Sequence, residues 1–389
     1  MSIDFNPTRR LFLGGACSLA AMPLMTSFAL ARGNGENRFV AIVLRGAMDG
    51  LDLVQPYGDP AFRGLRPDLA LTPDTGLLDL DGRFGLNPAA ADLYPLWKAG
   101  ELSFVHAVST PYRDARSHFD GQDILETGGN GHAGRDGWLN RAIGMMGSEQ
   151  LRAIDVTSDS DLILQGDYPA EIWSPKDDIP ISADELLFFE ALYSKDDAFA
   201  KAFQQARNAD MSSEAIFSGA SIAASTEGLA RLAGGFLKRD YRVAAFSING
   251  WDTHADQKGL FNRSAGSLSK AILTLKAEMG PKAWSNTVVL AMTEFGRTAR
   301  QNGTGGTDHG TGGCAVVAGG GYPGGRVMGT WPGVADGALY EDRDLMPTGD
   351  IREVAAAMLY RQFGLGAAAL TGSVFPGLDF SASSAFVRA

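Results

Sequence analysis

Arg38-Phe39-Val40-Ala41-Ile42-Val43-Leu44 runs straight into Arg45-Gly46-Ala47-Met48-Asp49-Gly50. After its first residue the run has no polar position. A strand with one wet face alternates apolar and polar residues, whereas a strand covered on both faces reads as continuous hydrophobicity. Arg38 to Leu44 is therefore a buried strand, and the glycine-bearing stretch after it is a loop. The same order recurs: Arg242 to Ile248 leads into Asn249-Gly250-Trp251-Asp252-Thr253-His254, and Thr287 to Met292 leads into Thr293-Glu294-Phe295-Gly296-Arg297. Ala315 to Ala318 follows Asp308-His309-Gly310-Thr311-Gly312-Gly313, and Leu102 to Val108 and Ala153 to Val156 are further strands.

Between these runs the apolar spacing turns helical, over 181–209, 212–237 and 258–279, and Asp350 stands where it would cap a helix from Ile351 to Phe363. Strands alternating with helices predict an α/β fold, a doubly wound and mostly parallel sheet with helices on both faces. The organisation expected is a single domain over 38–385 with a helical segment around 181–240. In such sheets ligands bind beyond the carboxyl ends of the strands, so the polar turns are the places to look for chemistry.

Those turns hold metal-ligating side chains. Asp252-Thr253-His254 places a carboxylate and an imidazole on one side of an extended segment, and Asp308-His309 offers two more groups before a glycine. With Asp49 and Glu294 they form a candidate set, Asp49, Asp252, His254, Glu294, Asp308 and His309. This mixed nitrogen and oxygen set suits zinc or manganese better than calcium. Each pair taken alone is also an ordinary turn, and Asp49 before Gly50 reads equally as a turn residue. Arg116-Ser117-His118 opens a helix running to Glu126. Ser117 is either its N-cap or a hydroxyl nucleophile set in the positive field of the helix start. Arg116 and Arg297 either clamp the oxygens of a phosphate or sulfate or pair with surface carboxylates. His106 and His132 carry only a structural reading, and Cys314 reads as a small buried hydrophobe.

The chain's net charge of −11 and its lack of a basic run exclude nonspecific nucleic-acid binding, which depends on clustered Lys and Arg. At the N-terminus, Thr8-Arg9-Arg10-Leu11-Phe12-Leu13 opens a mildly apolar stretch that ends in Ala29-Leu30-Ala31. It resembles a twin-arginine export signal over 1–31, with the translocation machinery as partner and a periplasmic or secreted destination. An uncleaved anchor is the other reading, opposed by Gly14, Gly15, Ser18, Pro23, Thr26 and Ser27, which dilute the hydrophobicity; cleavage leaves no stable membrane anchor. Cys17 would leave with the signal, so the mature chain holds Cys314 alone and closes no internal disulfide.

The ordered motifs Arg45 to Gly50, Arg116 to Phe119, Gly250 to His254, Thr293 to Arg297 and Asp308 to Gly312 resemble the family numbered 1501 among the domains of unknown function. That family is similar, more distantly, to the alkaline phosphatase and sulfatase superfamily, whose members hold one or two divalent metals at strand ends beside a hydroxyl nucleophile. The resemblance implies Asp49 as a first-strand ligand, Asp252 with His254 as a second pair, His309 as a late histidine, and Ser117 or His118 near the nucleophile. The superfamily has Asp-His where this chain has Glu294-Phe295, and its first aspartate follows the strand immediately, whereas Asp49 lies several residues beyond. The function expected is an exported metal-dependent hydrolase-like protein acting on a phosphate or sulfate ester, with Ser117, His118, Arg116 and Arg297 as catalytic candidates. The alternative is a noncatalytic envelope protein of the same fold that binds an anionic glycan or a protein partner.

Overall fold

The computed structural model describes residues 35–113, 116–129, 136–147, 151–157, 161–173, 183–194, 200, 203–204, 225–381 and 386. The twin-arginine stretch, Cys17, His132 and much of the 181–224 helical segment lie outside the described residues.

Strand β1 is Arg38–Leu44, as its sequence requires, and all seven residues are buried. In chain order there follow β2 (Val54–Gln55), β3 (Leu78–Asp79), β4 (Gly85–Leu86), β5 (Leu102–Ser109), β6 (Arg152–Val156) and β7 (Glu171–Trp173). The later strands are β8 (Tyr241–Ile248), β9 (Thr287–Met292), β10 (Gly313–Ala318), β11 (Val327–Met328) and β12 (Gly349–Asp350). One large sheet has the order β11-β5-β10-β9-β1-β8-β6-β7, with β12 beside β5, and β2, β4 and β3 form a small antiparallel sheet. Around β1 the pairing is parallel, with Ile42 opposite Phe246 of β8 and Ala291 of β9. Among the strands of the large sheet β10 runs against its neighbours β5 and β9. The fold is α/β with a mostly parallel sheet.

The helices of eight residues or more among the described residues are α1 (His118–Thr127), α2 (Trp138–Met145), α3 (Ala183–Tyr193), α4 (Thr226–Lys238), α5 (Gln257–Trp284) and α6 (Ile351–Phe363). Successive β1 side chains point to opposite faces. Val40, Ile42 and Leu44 pack with Phe236 of α4 and Leu268 and Ile272 of α5. Phe39, Ala41 and Val43 pack with Trp138 of α2 and Val354 and Met358 of α6. Each such aliphatic side chain removed from water contributes about 1.5–3 kcal/mol, which explains why the strand tolerates no polar position. Among the described residues no helix is long and apolar enough to cross a membrane.

The reversed strand has a consequence for placement. The segments after β1, β8 and β9 emerge at the carboxyl edge of the sheet. Because β10 is antiparallel to β9, the residues that precede it, Asp308 to Gly312, emerge at that same edge. His106, on β5, is buried, hydrogen-bonds the Val54 carbonyl at 2.7 Å, and is pushed down to about 4 by burial. Cys314 is also buried; its Cβ lies 2.5 Å from where a side chain on Gly50 would begin, and burial pushes its thiol up.

Candidate metal centre at the carboxyl edge of the sheet

Glu294 follows β9 and is fully buried. Its Oε1 accepts hydrogen bonds from the amides of Gly46 (2.9 Å) and Ala47 (3.0 Å), from His118 Nδ1 (2.7 Å) and from Gln122 Nε2 (3.3 Å). Its Oε2 accepts from the Thr293 hydroxyl at 2.8 Å. Burial raises the Glu294 carboxyl, but the His118 contact and these other donors outweigh it and hold it below its ordinary value. The turn that offers two amides to one carboxylate needs Gly46, whose φ of 114° is left-handed and whose added Cβ would sit 2.7 Å from the Asp252 nitrogen.

Asp252 and His254 come from the turn after β8, His309 from the segment before β10, and His118 from the first turn of α1. The liganding atoms of His118, Asp252 and His309 all lie within 4.8 Å of one another. His254 Nε2 stands 3.1 Å from Asp252 Oδ1 and 2.9 Å from His309 Nε2, which is itself 3.3 Å from Asp252 Oδ1. His118 Nε2 lies 3.6 Å from Asp252 Oδ2. The side chains of Asp252 and His254 remain nearly half exposed, at 47% and 46%, so the cluster opens to solvent on that side.

The partners of the Nδ1 atoms define the tautomers. His118 Nδ1 faces the Glu294 carboxylate, His254 Nδ1 faces Asp308 Oδ1 at 3.1 Å, and His309 Nδ1 faces the Arg116 carbonyl at 2.9 Å. Each partner is an acceptor, so each Nδ1 carries its hydrogen and each neutral ring presents an Nε2 lone pair. All three lone pairs converge on the Asp252 carboxylate. The Nε2 of His118 is buried and has no hydrogen-bond partner among the described residues. With these tautomers two lone pairs stand 2.9 Å apart beside a carboxylate, an arrangement that a proton or a metal ion next to both nitrogens would relieve. Imidazoles held from behind by a carboxylate or carbonyl are the usual support of a metal centre. Burial lowers the His309 pKa, favouring the neutral ring, while the hydrogen bond to Glu294 raises that of His118.

The other expected residues fall around this cluster. Arg297 is 1% exposed, and its guanidinium donates to the carbonyls of Gly46, Ala47, Trp251 and Thr307 and, at 2.6 Å, to Asp252 Oδ1. It is therefore a buried brace for three loops and holds Asp252 in place. Burial raises the Asp252 carboxyl, and Arg297 more than offsets this, so the group lies below its ordinary value. Arg116 sends its side chain toward Glu341 and Asp344 at 3.5 and 3.6 Å, while its carbonyl orients His309. Ser117 caps α1, accepting from the Asp120 amide at 3.5 Å.

Asp49 is 1% exposed and lies in a different polar network. It pairs with Arg66 at 2.8 Å and accepts from Gln257 at 2.7 Å and Thr307 at 3.2 Å. Beside it burial raises Asp52 to about 6, with the Asp49 charge adding to the effect. Sequence reasoning did not find Gln122, which supports Glu294, or Asn302, which donates to Asp308 Oδ1 at 3.1 Å and to the His254 carbonyl at 2.8 Å. Neither residue carries a sequence signal, because an isolated amide is ordinary in a helix or turn.

These features define an α/β protein with a histidine- and aspartate-lined cluster at the carboxyl edge of a mostly parallel sheet. The family described as "Protein of unknown function (DUF1501)" matches residues 116–374, and the chain belongs to it. No curated protein matches the sequence. Among solved structures it is similar to the lipoteichoic acid synthase LtaP from Listeria monocytogenes, at 9% identity over 90% of this chain and 82% of that one, with a TM-score of 0.40. It is also similar to the C-terminal periplasmic domain of EcEptC from Escherichia coli in complex with Zn, at 10% identity over 75% of this chain and 76% of that one, with a TM-score of 0.33.

Proposed function

We propose that this protein is a metal-dependent hydrolase-like protein that acts on a phosphate or sulfate ester after export by the twin-arginine route. The observation that carries the reading is the convergence of the His118, His254 and His309 Nε2 atoms on the Asp252 carboxylate, with the His118 nitrogen buried and unpartnered among the described residues. His118, Asp252, His254 and His309 would hold the ion, and this donor set fits zinc, with manganese second. Bound there, a divalent cation supplies Lewis acidity toward an ester oxygen. Glu294 and Asp308 act from behind, keeping the hydrogens on Nδ1 of His118 and His254. Arg297 fixes Asp252 and does not reach substrate. Ser117, one residue before His118 in the positive field of the α1 start, is the nucleophile in this reading. Asp49 serves the stability of the loop behind the centre.

Metal analysis of the purified mature protein tests this most directly. About one equivalent of tightly held zinc or manganese is expected, lost in the His254→Ala/His309→Ala double variant, with turnover of an aryl phosphate, phosphodiester or sulfate ester that Ser117→Ala abolishes. A folded, metal-free wild-type protein sinks the reading. Unchanged turnover by Ser117→Ala replaces the serine by water as nucleophile and keeps the rest.

A further inference from the structure

Beside the cluster, on the other side of α1, lies a cavity of ≈ 560 Å³. Its volume falls within the range of about 300–1,000 Å³ typical of small-molecule sites. The carboxyl ends of β1, β6 and β8 form its floor through Arg45, Thr157 and Ser247, and α1 supplies one wall through Phe119, Gln122 and Glu126. Gln122 joins it to the centre, accepting from Arg45 Nη1 at 2.7 Å and donating to Glu294, which holds His118. A molecule whose reacting bond lies at the cluster therefore has this space next to it.

The charges say which part of a molecule fits. Arg45 is the only cationic residue lining the cavity among the described residues, and its guanidinium is engaged. It donates to Ser247 at 2.9 Å and to Gln122, and it pairs with Glu126 and Asp161, both at 2.7 Å. Four of its five N–H groups are thus already directed at protein acceptors, which leaves little of the guanidinium for a phosphate or sulfate. Asp155 and Asp161 are both buried, and each has a carboxylate oxygen without a donor among the described residues. Burial, with the charge of Asp161, raises Asp155 well above its ordinary value. One cationic residue, Arg45, stands against three acidic ones, Asp123, Glu126 and Asp161, around the cavity, a balance that disfavours an anionic group.

What remains at the mouth is mostly polar, with one aromatic ring. Phe119 is 84% exposed, although its neighbours His118 and Phe295 stack on each other inside. The side chains of Asp123, Thr226 and Asn249 line the cavity without a hydrogen-bond partner among the described residues. An exposed ring face flanked by carboxylate, hydroxyl and amide groups suits a polyhydroxylated ring, whose axial C–H face stacks on the aromatic while its hydroxyls both donate and accept. We propose that this cavity is a neutral-sugar subsite, which takes the alcohol half of the ester while the charged half sits at the metal cluster. The substrate class is thus a phosphorylated or sulfated carbohydrate, a deepening that rests on the ester-cleaving reading above.

Saturation-transfer NMR on the metal-stripped full chain tests the subsite apart from the metal. The probes are the methyl glycosides of glucose, galactose, mannose and N-acetylglucosamine, with methyl phosphate and tetramethylammonium as charged comparisons. Transfer to the ring protons of at least one glycoside is expected, reduced tenfold or more by Phe119→Ala and by Asn249→Ala. Both positions are exposed, so circular dichroism is expected to show unchanged folding. No transfer from any glycoside, transfer unchanged in Phe119→Ala, or a preference for methyl phosphate or tetramethylammonium overturns the proposal. If sugars bind but metal analysis finds no ion, the subsite stands and the ester-cleaving reading falls. If an ion is held and no sugar binds, the reverse holds.

Discussion

Stripping metal from the wild-type protein perturbs the convergence at Asp252 without changing a residue. A ligand that binds only the folded chain stabilises it by about 4 kcal/mol when its free concentration is a thousandfold above Kd. In a chain of this length that corresponds to roughly 5 °C in Tm. Thermal unfolding followed by circular dichroism at pH 7.5, before and after dialysis against a strong chelator, measures the difference, and added zinc should restore it. The His254→Ala/His309→Ala variant should show no difference between the two conditions. The competing occupant of the 2.9 Å gap between His254 and His309 is a proton. A Tm insensitive to chelator and zinc in the wild-type protein would refute the metal argument and put a proton in its place.

Three further outcomes follow from the geometry. Asp49→Asn leaves Arg66, which is fully buried, without its charge partner and should cost about 3 kcal/mol in urea denaturation while metal content stays at the wild-type level; loss of the ion would return Asp49 to the ligand set. Gly296→Ala forces a methyl to within 1.9 Å of the Gly312 carbonyl oxygen, a backbone collision between two loops of the centre. It should cost 2 kcal/mol or more, on the order of other overpacking changes, and reduce metal content; a stability loss below 0.5 kcal/mol would contradict the packing. Burial raises Glu126 to about 7 despite Arg45, so the folded chain binds more protons there than the unfolded chain between about pH 4.5 and 7. Stability therefore falls as pH rises through that window, by on the order of 3 kcal/mol, and Glu126→Gln should flatten the profile; an unchanged slope in the variant would show that Glu126 does not carry it.

Much of the scaffold was readable in the chain. β1, β9 and α6 begin and end where the apolar runs and the Asp350 cap put them, because a strand covered on both faces and an N-capped helix are specified locally. The small sheet of β2, β3 and β4 was not readable, since two-residue strands have no periodicity. Nor does Trp138–Met145 announce itself as α2 in so short a run.

The sequence by itself determined which side chains were available: Asp252, His254, Glu294, Asp308 and His309 in turns beside buried strands, and Ser117-His118 at a helix start. Tertiary structure decided their roles. The antiparallel course of β10 delivers His309 to the carboxyl edge, and α1 brings His118 there although the two are 191 positions apart in the chain. Glu294, which stands where an Asp-His pair was expected from the resemblance, grips His118 from behind. Arg297 and Asp49, charged residues that looked ready for a ligand, are buried in pairings of their own. Strand burial depends on neighbours along the chain, so it is legible locally. The direction of a lone pair depends on what stands behind the ring, and that neighbour arrives from another part of the fold.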